Sequence, residues 1–223
     1  MRRLACCFSL ATIIATAASA QTRPDETKTI GTQMPDVTLV ADNDSTYLLS
    51  KLWGKPVIVS PIFTSCPHTC GIITESLRDA LREVGPPGVG YEVLTVSFDP
   101  ADDSAAMRAY RAQMYLPPAW RLATMTADDL SSFLAAMDFR ITALEEGGFA
   151  HPNLVVVLSP DLKVSSYVHG VMYEPDALLA AMQTAAGDAS LIKRFRPYLL
   201  LIMALGLVAV VGVLRVTRAR KSA

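Results

Sequence analysis

Two cysteines separated by three residues, in the stretch Thr64-Ser65-Cys66-Pro67-His68-Thr69-Cys70-Gly71, are the side chains of this sequence best suited to chemistry. As thiolates, cysteines attack disulfides and bind metal ions. Residues four apart are neighbours on a helical turn, with Cβ atoms about 5–6 Å apart. The pair can therefore chelate one ion or, with local adjustment, close a disulfide. A plain stabilising bridge is the bland alternative. A bridge around so small a loop constrains the unfolded chain little, because the stabilisation grows with loop length.

The flanking residues say what must position the pair. Upstream, Pro56-Val57-Ile58-Val59-Ser60-Pro61-Ile62-Phe63 is short, β-branched and aromatic, which predicts a buried strand; downstream, Ile72, Ile73, Leu77, Leu81 and Val84 recur at helical spacing, which predicts a helix from about 69 to 84. The cysteines then lie at a strand-to-helix junction, where free N–H groups and the helix dipole are expected to lower the thiol pKa values. Residues 34–40 and 46–49 read as a hairpin around Asp42-Asn43-Asp44-Ser45, and Tyr91 to Phe98 as a central parallel strand. The run Asp99-Pro100-Ala101-Asp102-Asp103 is expected to cap a helix to about Gln113. A short strand at 120–123 and a helix from Thr126 through Met137 follow, and residues 139–144 alternate weakly. Strands at 154–158 and 163–168 flank a Ser159-Pro160-Asp161 turn, and a helix runs from Pro175 to about Ala186. The order predicts an α/β fold with a mixed central sheet flanked by helices, in the thioredoxin-like sequence of elements.

The chain contains three histidines, His68, His151 and His169. A lone histidine is ordinarily a surface or satisfied residue. His151 differs, because a loop entering a central strand of such a fold returns beside the first helix and can complete a site of two sulfurs and one nitrogen. Soft thiolates favour Cu(I), imidazole also suits Cu(II), and a three-ligand site leaves room for transfer to a partner, unlike a closed four-cysteine zinc site. His68, inside the motif, is expected to face solvent, with a transient metal contact as its other reading. His169, before Gly170, carries the bland reading. Pro152 precedes a strand where thioredoxin-like proteins carry a cis-proline, but the isomer is not legible in sequence. Met107, Met114, Met125 and Met137 look like core filler.

The ends carry targeting signals. Residues 1–20, with Arg2 and Arg3, an apolar segment and Ala18-Ser19-Ala20, read as a secretory signal peptide whose removal takes Cys6 and Cys7 with it. Residues 21–33 read as a loose lead and 34–190 as the functional domain. Residues 198–214 are apolar and uncharged between basic flanks; at about 1.5 Å per residue they reach most of a hydrocarbon core of roughly 30 Å. They predict a C-terminal transmembrane helix with a basic cytoplasmic tail at 215–223. The expected location is the cell inner membrane, single-pass, with the domain in the periplasm. With 20 Lys and Arg against 21 Asp and Glu and no basic stripe, nothing points to nucleic acid.

Phe63-Thr64-Ser65-Cys66-Pro67-His68-Thr69-Cys70, Ser97-Phe98-Asp99-Pro100 before a helix, and a histidine just before an apolar strand together resemble the SCO/SenC family of copper-binding thioredoxin-like proteins. The resemblance covers roughly residues 34 to 186. It implies a copper-binding metallochaperone assisting assembly of the dinuclear copper centre of cytochrome c oxidase, with Cys66, Cys70 and His151 as copper ligands. Asp99 would stand near the site. The implied partners are the copper-binding subunit of the oxidase, other copper carriers or thiol oxidoreductases, and the membrane. The family commonly carries its anchor at the N-terminus, whereas here the anchor follows the domain.

A second function uses the same residues: a thiol-disulfide oxidoreductase in which Cys66 attacks a partner disulfide and Cys70 resolves the mixed disulfide, keeping the oxidase cysteines reduced. A peroxidase of the peroxiredoxin type would need proline and threonine seven and three residues before Cys66, where Val59 and Phe63 stand. An ordinary thioredoxin motif has two intervening residues, not three.

Overall fold

The computed structural model describes residues 23–145 and 147–187. The expected signal peptide, the membrane anchor at 198–214 and the basic tail lie outside them. Among the described residues no helix is long and apolar enough to cross a membrane.

Among the described residues, nine strands and five α-helices follow one another as α1 (Glu26–Thr29), β1 (Thr38–Ala41), β2 (Thr46–Leu48), β3 (Val57–Ile62), α2 (Thr69–Val84), β4 (Glu92–Ser97), α3 (Ser104–Gln113), β5 (Arg121–Thr124), α4 (Ala127–Ala136), β6 (Thr142–Ala143), β7 (Phe149–Ala150), β8 (Leu154–Leu158), β9 (Val164–His169) and α5 (175–187). Seven strands form one mixed sheet in the order β2-β1-β5-β4-β3-β8-β9. The middle is parallel: β4 runs beside β3 and β5 in the same direction. Every residue of β3, β4 and β8 is buried, which explains why β3 and β8 read as largely apolar runs rather than alternating ones. Register places Val57 to Ile62 opposite Glu92 to Ser97, and Val57 to Val59 antiparallel to Leu158 to Val156.

Helix starts follow side-chain chemistry. Asp103 caps α3 by accepting from the Ala106 N–H at 2.8 Å, and the Thr126 hydroxyl caps α4 by accepting from the Asp129 N–H at 3.2 Å. On α2, Ile73, Leu77, Ala80 and Leu81 make the buried stripe that packs on the sheet.

Two segments differ from their sequence reading. The stretch expected to be a loose lead is tied down from residue 25 onward: Thr29 is buried, and the Gly31 N–H donates to the Val164 carbonyl at 2.8 Å, so it runs along the outer edge of β9. Its polar composition hid this, because the contacts are backbone bonds that any sequence can make. The weakly alternating residues 139–144 contain only the two-residue β6, which pairs with β7 outside the main sheet. Gly147 and Gly148, at φ +89° and +81°, let the chain turn back between them. That turn delivers Phe149 and then His151 to the end of the sheet.

Candidate metal centre

The donor atoms of Cys66, Cys70 and His151 all lie within 4.8 Å of one another. They come from two separate places: the cysteines from the β3–α2 junction and His151 from the stretch between β7 and β8. The antiparallel pairing of β3 with β8 brings these together, since the chain entering β8 arrives at the end of the sheet where β3 leaves for α2.

The two thiols differ. Both are free, Cys66 half-buried and Cys70 only 1% exposed. Burial works against ionisation of Cys66, but the peptide N–H groups of Cys70, His68 and Thr69 at the start of α2, with the Cys70 thiol, outweigh it and lower its pKa. Burial instead pushes the Cys70 pKa strongly up, despite backbone hydrogen bonding, and the neighbouring Cys66 pushes it further. The expectation that the helix start lowers both thiol pKa values therefore holds for Cys66 and fails for Cys70. Desolvation of this almost fully buried second residue of α2 exceeds the benefit of the helix end. Cys70 is also held from behind: the Tyr110 hydroxyl donates to its carbonyl at 3.2 Å and is itself 2.7 Å from the Thr74 hydroxyl.

His151 is 4% exposed and sits among Phe63, Phe98 and Phe139, at centroid distances of 6.1, 5.2 and 6.1 Å. Burial holds its pKa below the usual value, so the ring is neutral at neutral pH. Its Nδ1 is 3.1 Å from the Pro152 carbonyl, an acceptor only, which assigns the ring proton to Nδ1. The Nε2 lone pair is left facing the Cys70 sulfur at 3.7 Å. A neutral imidazole with one nitrogen fixed by a carbonyl and the other turned to two sulfurs is the arrangement a metal-ligating histidine adopts. The donor set, two thiols and one imidazole, fits a soft or borderline ion with an open coordination position.

The other candidate residues lie elsewhere or act differently. His68 is exposed at the N-cap of α2 and makes no capping bond. His169 is far along β9, opposite Leu154, with Nε2 2.7 Å from Glu26 Oε1. The His151–Pro152 bond is trans; no cis bond occurs among the described residues. Met107, Met114 and Met137 are core residues, and Met125 packs against that core. Asp99 shapes its own turn, accepting from the Ala101 N–H at 2.9 Å. The carboxylate that reaches the cysteine loop is Asp102, bonded to Thr64 and Ser97. Sequence reasoning missed it, because within a run of carboxylates before a helix it looked like one more capping residue. The aromatic cage was equally hidden, its members being spread over residues 63 to 139.

Comparison with known proteins gives a consistent result. The SCO1/SenC family model matches residues 25–187. A crystal structure of a protein from Aquifex aeolicus VF5, provisionally assigned to electron transfer, is 37% identical over 71% of this chain and 95% of its own, with a TM-score of 0.69. A SCO1/SenC family lipoprotein from Bacillus anthracis str. Ames is 17% identical over 70% of this chain and 96% of its own, with a TM-score of 0.63. Arabidopsis thaliana ScoI, solved with copper bound, is 19% identical over 70% and 98%, with a TM-score of 0.57. These last two share the fold with this chain at low identity. No curated protein matches. A family model covering residues 25–187, on a thioredoxin-like mixed sheet that brings a Cys-x3-Cys pair and a distant histidine together, places this chain in the SCO1/SenC family.

Proposed function

We propose that the chain is a copper-binding metallochaperone that assists assembly of the dinuclear copper centre of cytochrome c oxidase, carrying copper as cargo on Cys66, Cys70 and His151. The observation that carries this reading is the convergence of the three donor atoms within 4.8 Å. Thiolates at Cys66 and Cys70 suit Cu(I), and the imidazole widens the range to Cu(II). Three ligands hold the ion without closing its coordination sphere, so a receiving site on the oxidase subunit can compete for it. The half-exposed Cys66 is the ligand a receiving protein reaches first.

Cu(I) titration of the full chain under anaerobic conditions should give about one tightly held copper per chain. His151→Ala should weaken retention about tenfold or more. Failure of the wild type to bind copper tightly would sink the reading.

The asymmetry of the thiols supports a second function, reduction of the oxidase copper-site cysteines. The Cys66 thiolate attacks a sulfur of the partner disulfide, forming a mixed disulfide and releasing one partner thiolate. Cys70 then displaces the second partner thiolate and leaves a Cys66–Cys70 disulfide. His151→Ala separates the two functions, since it removes a copper ligand while leaving both thiols. Equal loss of copper binding and disulfide exchange would count against the metal reading.

The proposed setting is the cell inner membrane, with the domain in the periplasm and a C-terminal anchor at 198–214. Alkaline carbonate should leave the chain in the membrane, and protease added to spheroplasts should digest the domain. Release by carbonate would refute the anchor.

A further inference from the structure

The carboxylate of Asp102 joins two segments that border the metal centre. Its Oδ2 accepts from the Thr64 N–H at 2.8 Å and from the Ser97 hydroxyl at 2.5 Å, while Oδ1 accepts from the Thr64 hydroxyl at 2.5 Å. Thr64 stands two residues before Cys66, in the turn that the Cys66 N–H closes on the Phe63 carbonyl at 3.3 Å. Ser97 is the last residue of β4. Asp102 is itself held from both sides. Its N–H donates to the Asp99 carbonyl at 3.0 Å, and the next residue, Asp103, caps α3. A carboxylate fixed just before a helix thus holds the loop that carries Cys66 through two hydrogen bonds to Thr64, and ties it to the end of β4 through a third from Ser97.

The other end of the pair is fixed independently. Cys70 is buried within α2, and the Tyr110 hydroxyl donates to its carbonyl. A disulfide needs the sulfurs at about 2.05 Å with a narrow range of torsions. Both thiols are free here, so closing the bond requires movement, and the Cys66 loop is the side able to supply it. Bonds from Thr64 to Asp102 oppose that movement.

We propose that Asp102 is a positioning residue, a latch that holds the Cys66 loop in the open dithiol arrangement and so disfavours the Cys66–Cys70 disulfide. The redox step it biases is exchange with a low-molecular-weight or protein disulfide. The two cysteine thiols lose two electrons and two protons to form one S–S bond, and the oxidant disulfide is reduced to two thiols. The latch matters for copper only through the delivery reading above, because a disulfide cannot serve as the thiolate pair that binds the ion.

The test is redox equilibration of the metal-free full chain in mixtures of reduced and oxidised glutathione, with the thiol fraction trapped by alkylation and counted by mass. Asp102→Asn should raise the equilibrium constant for disulfide formation about tenfold, a potential about 30 mV more negative. Thr64→Val and Ser97→Ala, which each remove one hydroxyl donor, should move it in the same direction by about threefold, and these two carry the test if Asp102→Asn does not fold. Asp102→Glu should restore part of the wild-type potential. A potential unchanged in the variants while their melting temperatures fall would make Asp102 a structural residue only and overturn the latch. A shift to less negative potential would overturn it as well. Because no metal is present, a wild type that fails to bind Cu(I) would refute the delivery reading without affecting this measurement.

Discussion

At the scale of single residues, the site is an asymmetric pair of thiols beside a neutral imidazole. The N–H groups at the start of α2 lower the Cys66 pKa against its burial, whereas burial raises that of Cys70. Alkylation with iodoacetamide at about pH 7 should therefore modify Cys66 at least about tenfold faster than Cys70, read by peptide mass mapping; comparable rates would contradict the asymmetry. His151 supplies a pH dependence. Its folded pKa lies below its ordinary 6.5 because burial disfavours the charged ring. The unfolded chain then takes up a proton that the folded state resists, so this contribution is complete above pH 6.5 and is lost as pH falls through the folded value. Thermal melts of the metal-free protein from about pH 7.5 down to about pH 5 should show declining stability, and His151→Gln should make that decline shallower.

Secondary-structure elements set the distances between those residues. The strand-to-helix junction predicted from apolar periodicity is β3 followed by α2, beginning at Thr69. Its geometry depends on neighbours that the local pattern does not mention, above all α3, which carries Tyr110 against the Cys70 carbonyl and starts beside Asp102. Capping of α3 is thus tied to the site as well as to the helix. Asp103→Ala should cost about 0.5–2 kcal/mol in chemical denaturation, with little change in the slope against denaturant. A loss well beyond that range would mean that the β4–α3 loop unfolds with its cap.

For the molecule as a whole, edge contacts matter as much as the central sheet. Residues 25–33 close over β9, and the buried Tyr167 hydroxyl lies 2.9 Å from the Thr29 hydroxyl and 2.8 Å from the Met137 carbonyl. One phenol therefore links the N-terminal segment, the end of α4 and the last strand. Tyr167→Phe keeps the ring but strips these partners, and should cost about 1–3 kcal/mol of unfolding free energy. Native-state hydrogen exchange should find the extra opening at the Gly31 and Met34 amides, which donate to Val164 and Leu162. Loss confined to other regions would show that the segment is held without this residue.

The elements were legible in the sequence wherever local physics decides them. β3 and β8 showed as apolar runs because both faces are buried, β4 as a long β-branched stretch, α2 as a 3.6-residue stripe, and the starts of α3 and α4 as side-chain caps. Cys66 and Cys70 stood out because four residues of separation already makes them neighbours. Tertiary structure alone decided the rest, because burial and long-range contact are not local properties. It made Cys70 the less acidic thiol and turned Nε2 of His151, 81 residues along the chain, toward it. It also made Asp102, rather than Asp99, the carboxylate that reaches the Cys66 loop. A run of acidic residues before a helix satisfies the same local rules whichever member faces the site, and only the packing of α3 against the β3–α2 junction selects one.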